Sequence, residues 1–217
     1  MAEGGDAVTA PTEPQETVDA ASTTLLTAIR QTSDELLHQH EAMVGLITHL
    51  LATALGHDVA AAAELSYAAS LHDVGRSAMS GELFAKDGAL TEDEIAEIRL
   101  HTSRGGDLLL AAGFDPGGLA VQAALHHHER FDGSGYPQGS AGDAIPLVAR
   151  LVAVADVYDA LRAARPYKPA FDHAAVCRIL LEGDGRCDPA HFDPAILAAF
   201  RDNAEVIRRL WSPTGGA

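Results

Sequence analysis

The sequence predicts an all-α protein, a bundle of about seven helices with one long glycine-rich loop. Apolar residues recur at spacings of three and four, helix-start signals recur along the chain, and no segment alternates polar and apolar residues as a strand would. The chain has 217 residues, 47% of them hydrophobic, which suits one domain with a core. We take residues 21–211 as that domain, residues 1–20 as a disordered tail and residues 212–217 as a flexible C-terminus.

The elements follow from these signals in chain order. The first helix begins near residue 23 and carries an apolar face over residues 43–51. Asp58 begins an alanine-rich second helix that runs towards Leu71 and that Gly75 closes. Further helix starts lie at Thr91 with Glu94 as a capping box, at Pro146, at Asp172, and at Asp193 with Pro194. Residues 130–145 form the loop, because this stretch is too rich in glycine to be helical.

Composition and charge exclude several classes of function. Fifteen basic residues stand against 31 acidic ones, giving a formal net charge of −16. Such a surface does not suit sequence-independent binding to a nucleic acid polymer or to an anionic membrane. The chain has no apolar run long enough to span a membrane and no secretory signal, so we expect a cytoplasmic protein with two incidental thiols, Cys177 and Cys187.

The 11 histidines are the unusual feature of the composition. His40 shares the apolar face of the first helix, where a single histidine would ordinarily be a core residue bonded to a carbonyl. Asp156 lies on an apolar helix, where an ionised carboxylate needs a cation or several donors. Seven such residues occupy core-facing or helix-terminal positions: His40, His72, Asp73, His101 (inside the helix begun at Thr91), His127, His128 and Asp156. Bundles build metal sites from side chains of this kind on facing helices.

The candidate ligands are nitrogen and oxygen donors only. This set suits iron, manganese, nickel or zinc, and disfavours a structural zinc of the cysteine type. Seven ligands are too many for one tetrahedral ion and about right for two ions that share a carboxylate. Two-metal sites drive in-line displacement at phosphorus, and their positive charge would attract an anion to an otherwise acidic protein.

The motifs around these residues resemble one known family. Residues 71–75 read Leu-His-Asp-Val-Gly, and residues 127–137 read His-His-Glu-Arg-Phe-Asp-Gly-Ser-Gly-Tyr-Pro. Together with residues 145–150, 155–161, 165–168 and 192–194, they resemble the HD-GYP family of bacterial cyclic-di-nucleotide phosphodiesterases. The resemblance covers residues 34–200 and implies a helical fold of the HD-domain type.

The resemblance also implies a function. The seven residues above would hold two divalent ions, iron or manganese, and Asp73 would bridge them. A hydroxide between the ions would hydrolyse cyclic di-GMP to linear pGpG, with GMP as the product of any second cut. Asp73 and Arg76 would act in catalysis, and the substrate would be bound by Arg76, Gly135, Tyr136, Pro137, Arg165 and Lys168. The protein would serve in cytoplasmic signal transduction, and residues 23–31 are a candidate dimerisation segment for a homodimer.

The chain departs from the family pattern at three places. Arg76 stands where the family usually has lysine, and arginine cannot donate a proton to a leaving group. Residues 77–81 lack the usual isoleucine-proline. Some members bind a third metal through a glutamate one turn before the first histidine, but Leu36 occupies that position, so we expect two ions.

Other functions remain open at this point. Because Arg76 replaces the usual lysine, one alternative function is a sensor that binds cyclic dinucleotides without hydrolysing them. A general nucleotide phosphohydrolase could use the same scaffold, although the glycine loop and the Arg165–Lys168 pair argue against it. A structural domain with relic histidines is the remaining alternative. The sequence does not decide between cyclic di-GMP and cyclic GMP-AMP.

Overall fold

The computed structural model describes residues 35–86, 88–163 and 170–211, and this part of the chain is helical and contains no β-strand. The helices are α1 (Glu35–Ala54), α2 (Val59–Ala69), α3 (Gly81–Ala85), α4 (Glu92–Arg99), α5 (His101–Ala111), α6 (Leu119–His126), α7 (Leu147–Arg162), α8 (His173–Glu182) and α9 (Pro194–Trp211). Short 3₁₀ turns span Val74–Ala78, Gly142–Ala144 and Pro189–His191. The predicted all-α class is therefore confirmed. The predicted tails, residues 1–20 and 212–217, and the start of the first helix lie outside the described residues.

The core is organised around α7. This helix packs against α1, α2, α6, α8 and α9, and its buried side chains include Leu151, Val152 and Tyr158. Tyr158 also meets Phe200 of α9, with ring centroids 5.6 Å apart. Because five other helices enclose α7, the Asp156 side chain is only 17% exposed. None of the described helices combines the length and the apolar character that crossing a lipid bilayer requires.

The predicted helix starts are confirmed where the structure gives cap contacts. The Asp58 carboxylate accepts from the Ala61 backbone N–H at 2.9 Å, and the Asp172 carboxylate accepts from that of Ala175 at 2.7 Å. Thr91 and Glu94 form the reciprocal capping box.

The described residues contain two more helices than predicted, because α3 was not foreseen and because the helix begun at Thr91 is two helices. His101 therefore begins α5 and does not lie inside the preceding helix. At this break, three consecutive side chains bond to backbone carbonyls: His101 Nδ1 to Ile98 at 2.6 Å, Thr102 Oγ1 to Arg99 at 3.0 Å, and Ser103 Oγ to Leu100 at 3.0 Å. Local bonds of this kind compete with helical hydrogen bonds.

The prediction that Gly75 closes the second helix is also wrong. Helix α2 ends at Ala69 with Ser70 as its C-cap, and Gly75 lies inside the following 3₁₀ turn with an ordinary negative φ. A Cβ on Gly75 would overlap the His101 carbonyl oxygen and lie 2.5 Å from the Gly105 nitrogen. Glycine is needed here because two backbones touch, not because a helix ends.

Candidate metal centre

Close backbone contacts bring the separate histidine motifs together. The contact of Gly75 with α5 places the His72–Asp73 turn beside His101. A Cβ on Gly106 would lie 2.6 Å from Leu125 Cδ2, so α5 and α6 also approach closely. This second contact places the end of α6, where His127 follows as the C-cap residue, beside the start of α5.

The structure brings the seven candidate ligand residues into one cluster. Three donor atoms, from His40, His72 and Asp73, lie within 4.8 Å of one another, and three more, from His101, His127 and His128, do the same. Asp156 joins the first group, with its Oδ1 3.3 Å from His40 Nε2. Residues 116 positions apart in sequence thus converge at the buried side of α7.

The Asp73 carboxylate lies between the two groups. Its Oδ1 is 3.4 Å from His101 Nε2 and 3.7 Å from His127 Nε2, whereas its Oδ2 is 3.7 Å from His72 Nε2. Each oxygen therefore faces a different set of imidazoles. A carboxylate placed in this way can coordinate two cations, one through each oxygen.

The imidazoles are oriented by backbone carbonyls. His72 Nδ1 lies 2.8 Å from the Ala69 oxygen, and His127 Nδ1 lies 2.9 Å from the Ala123 oxygen. His101 Nδ1 has the equivalent bond to Ile98. Since Nδ1 must carry the proton in these bonds, each Nε2 presents a lone pair to the cluster. His72 Nε2 is fully buried and has no hydrogen-bond partner, and a metal ion is the partner that this donor set fits.

His40 is held by two carboxylates of α7. Its Nδ1 lies 2.6 Å from Asp159 Oδ2, and its Nε2 faces Asp156. Burial opposes protonation, but the hydrogen bonds with Asp156 and Asp159 outweigh it and raise the pKa of His40 to about 10. This corner of the cluster therefore favours a positive charge, and a metal ion bound at His40 Nε2 would displace the proton from that nitrogen. The sequence interpretation missed Asp159, whose signal was a second carboxylate three residues beyond Asp156 on the same apolar helix.

At His72, His127 and His128 burial disfavours the protonated form, which suits metal ligands because a ligating imidazole must be neutral. Burial lowers the pKa of His72 and, with neighbouring His101, that of His128, which falls to about 4. Burial and the adjacent His128 hold the pKa of His127 well below its ordinary value. Although burial would raise the pKa of Asp73, the surrounding imidazoles and Arg76 hold it well below the usual range. These pKa shifts favour neutral nitrogen donors at His72, His127 and His128 beside an ionised Asp73 carboxylate.

Arg76 contacts the centre directly. Its Nη1 donates to Asp73 Oδ2 at 2.9 Å, and its guanidinium carbon lies 4.5 Å from the centroid of the Phe84 ring. The side chain is 27% exposed, so it borders solvent as well as the centre. Its position suits a group that adds positive charge beside Asp73.

The glycine loop contacts the centre through Tyr136. The Tyr136 ring stacks on His128, with centroids 4.8 Å apart and planes 26° apart, and the Arg99 guanidinium carbon lies 4.9 Å from the Tyr136 centroid. A Cβ on Gly135 would overlap the Arg130 nitrogen and lie 2.5 Å from the His128 oxygen. Glycine at this position lets the loop fold back on His128, which brings Tyr136 to the centre, while Pro137 is exposed.

Glu129 is a second residue that the sequence interpretation missed. It is buried, and its two carboxylate oxygens accept the backbone N–H groups of Gln138 at 2.8 Å and Ser140 at 3.0 Å. One carboxylate therefore holds the far side of the glycine loop. The signal was an acid directly after two histidines, at a position that neither caps a helix nor lies on a polar face.

Two of the predicted substrate-binding residues, Arg165 and Lys168, lie outside the described residues. The centre is reached through a cavity of about 220 Å³, which is lined in part by His127, His128 and Asp156.

Fold and site together define an all-helical protein with a buried histidine–aspartate centre suited to metal ions. The chain belongs to the HD domain family, whose sequence profile matches residues 24–194. Similarity to named cyclic-dinucleotide phosphodiesterases confirms the resemblance drawn from the motifs.

Two curated relatives and one solved structure show the range of this similarity. The cyclic di-GMP phosphodiesterase PA4108 of Pseudomonas aeruginosa is 39% identical over 177 residues, 81% of this chain and 41% of that protein. The 3′3′-cGAMP-specific phosphodiesterase 2 of Vibrio cholerae is 33% identical over 187 residues, 80% of this chain and 35% of that protein. The chain therefore spans less than half the length of either relative. The structure of Bd1817, an HDG"Y"P protein from Bdellovibrio bacteriovorus, shares the fold with a TM-score of 0.62 at 18% identity, covering 87% of this chain and 62% of that one.

Proposed function

We propose that this protein is a metal-dependent phosphodiesterase that hydrolyses cyclic di-GMP to linear pGpG, with GMP as the product of a second cut. The observation that carries the proposal is the Asp73 carboxylate, whose two oxygens face two separate groups of imidazoles. The names of the two relatives, both cyclic-dinucleotide phosphodiesterases, support this substrate class. A cytoplasmic location and a homodimer, as predicted from the sequence, are part of the same proposal.

The cluster is the proposed binding site for two divalent ions, iron or manganese. Their ligands would be His40, His72, Asp73, His101, His127, His128 and Asp156. When bound, such ions supply Lewis-acid charge to a phosphate and a nucleophile from water at neutral pH.

The protein's own residues position these donors and the substrate. Backbone carbonyls and Asp159 fix the imidazole orientations, so the donors are in place before substrate arrives. Arg76 contributes charge beside Asp73 and transfers no proton, because a guanidinium group stays protonated in proteins. Tyr136 presents its ring beside His128, where it would form one wall of the substrate site. Arg165 and Lys168 keep their predicted role as phosphate ligands.

Turnover of cyclic di-GMP by purified protein tests the proposal. Protein loaded with Mn²⁺ or Fe²⁺ should linearise the substrate, chelated protein should not, and His72→Ala or Asp156→Ala should abolish turnover. Elemental analysis should find two ions per chain. If chelated and metal-replete protein were equally inert, the enzyme proposal would be wrong.

Arg76 favours a second candidate, a sensor that binds cyclic dinucleotides without cleaving them. Its guanidinium is paired with Asp73, and it replaces the lysine that the resemblance leads one to expect. Calorimetry and chromatography on one metal-loaded sample separate the two functions, since a sensor binds the nucleotide and releases no product. Restoration of turnover by Arg76→Lys in an otherwise inert protein would identify this residue as the cause.

A further inference from the structure

The cavity beside the metal centre has a second, cationic part. It is lined by His127, His128 and Asp156 of the centre, and also by Arg130 of the glycine loop and Arg186 from the segment before α9. A ligand that fills the cavity would therefore meet the metal ligands and both arginines.

These two arginines differ from most of the others that the structure describes. Six arginines lie within 3.2 Å of a carboxylate: Arg76, Arg104, Arg150, Arg201, Arg208 and Arg209. Across the described ranges, neither Arg130 nor Arg186 has a carboxylate oxygen within 4.0 Å. In a chain with 31 acidic and 15 basic residues, two unpaired guanidinium groups in one cavity are available to an anion.

The direct contacts of Arg130 include no carboxylate, although its charge acts on the Asp132 carboxylate two residues further on. Its Nη1 lies 3.3 Å from His191 Nε2 and 3.4 Å from Ser134 Oγ, and neither is an acid. Its backbone is fixed on both sides, because Glu129 anchors the loop and the Phe131 N–H donates to the His191 oxygen at 2.8 Å. These hydrogen bonds thus hold in place the backbone that carries the Arg130 guanidinium.

Hydrogen bonds also hold the backbone at Arg186 in place. The Asp184 carboxylate accepts the backbone N–H groups of Arg186 and Cys187 at 2.9 and 2.8 Å, which closes a tight turn under the arginine. The acids that line this cavity contact groups other than the two arginine side chains. Glu129 and Asp184 accept backbone N–H groups, and Asp156 contacts His40.

We propose that Arg130 and Arg186 form a subsite for the terminal 5′-phosphate of the linear dinucleotide. This inference rests on the proposed function and deepens it. The first cut converts a cyclic diester into a chain that ends in a phosphomonoester, whose charge at pH 7 is about −1.5 to −2. Two fork-shaped guanidinium groups match that group better than the singly charged diester. With the end phosphate held there, the internal diester can reach the centre for a second cut, in which water adds to phosphorus and the P–O3′ bond breaks to give two molecules of GMP.

Comparison of pGpG with GpG, which lacks the 5′-phosphate, tests the subsite. Metal-loaded protein should cleave pGpG with the higher kcat/KM. In Arg186→Gln and in Arg130→Gln this preference should fall about tenfold or more, as expected for the loss of a hydrogen bond to a charged group. Arg186→Lys should lose part of the preference, because it keeps the charge without the fork.

The matched control is Arg178→Gln on α8. Arg178 is exposed, has no carboxylate partner in the described ranges and does not line the cavity, so its substitution should leave the preference intact. Equal use of pGpG and GpG by the unaltered protein, or an unchanged preference in both glutamine variants, would show that the subsite does not exist. If the metal-loaded protein cleaves neither cyclic di-GMP nor pGpG, the proposed function fails, and relative affinity for pGpG and GpG by calorimetry still decides the subsite.

Discussion

The metal centre and the glycine loop lie side by side but satisfy their buried polar groups in different ways. In the centre, imidazole nitrogens face one another and a carboxylate, and His72 Nε2 has no hydrogen-bond partner. In the loop, Glu129 binds two backbone N–H groups directly. The protein's own hydrogen bonds therefore satisfy the Glu129 carboxylate in the loop, whereas the centre keeps an unpartnered nitrogen that a bound cation would satisfy. Metal should then stabilise the centre specifically, and the two regions should respond separately to substitution.

The largest effect should follow loss of a ligand in the centre. His72→Ala should reduce turnover to background and remove stabilisation by Mn²⁺. For the unaltered protein, a metal concentration 100 times Kd should add about 2.7 kcal/mol to the free energy of unfolding, which is about 5–10 °C in Tm for a domain of this size. Thermal melting with and without Mn²⁺ measures this.

His57→Ala is the control for that experiment, since His57 lies between α1 and α2 and outside the cluster. It should keep both turnover and the metal-dependent rise in Tm. A rise in His72→Ala as large as in the unaltered protein would contradict the assignment of His72.

The next largest effect should follow Gly75→Ala. The added Cβ would overlap the His101 carbonyl and force α5 away from the His72–Asp73 turn. A displacement of about 1 Å in such a site can cost about 100-fold in activity, and overpacking costs about 1–3 kcal/mol of stability. Assays of turnover and urea unfolding measure both changes.

Gly81→Ala is the matched control, because a Cβ there has nothing within 4 Å and the residue begins α3. It should leave activity unchanged. Equal behaviour of the two alanine variants would mean that the Gly75 contact does not set the geometry of the centre.

These two glycines show what the sequence could and could not predict. The seven candidate ligands were identified from polar side chains at core-facing or helix-terminal positions and from the family resemblance, and their proximity follows from helix packing. The role of Gly75 could not be predicted from the residues next to it in sequence. The contact that requires glycine comes from α5, whose Gly105 lies 30 residues further on. Sequence signals near Gly75 suggested only the end of a helix.

The break between α4 and α5 at Leu100 was not predicted for a similar reason. Helical periodicity continues through it, so one helix was predicted, yet His101, Thr102 and Ser103 bond to three successive carbonyls. His101 is positioned by its place in the cluster as well as by its neighbours in sequence. Periodicity predicts helices well but does not reveal where tertiary contacts divide them.

A smaller effect, confined to the centre, should follow Asp159→Asn. The substitution weakens the contact that orients His40, and loss of such a partner costs about 10–100-fold in metal affinity. Metal titration followed by turnover measures the change, with Asp107→Asn on the exposed face of α5 as the control. Unchanged affinity in Asp159→Asn would mean that His40 is oriented without it.

The smallest effect, and the one confined to the loop, should follow Glu129→Gln. The amide keeps one acceptor oxygen but turns an NH₂ group towards a backbone N–H, so about 1–3 kcal/mol of stability should be lost. Metal affinity should stay the same, because Glu129 is not among the two groups of donors. Turnover should fall through a higher KM as Tyr136 loses its fixed position, while Glu64→Gln on the exposed face of α2 should change neither property. A drop in metal affinity in Glu129→Gln would show that loop and centre form one cooperative unit, and the separation drawn between them would then be wrong.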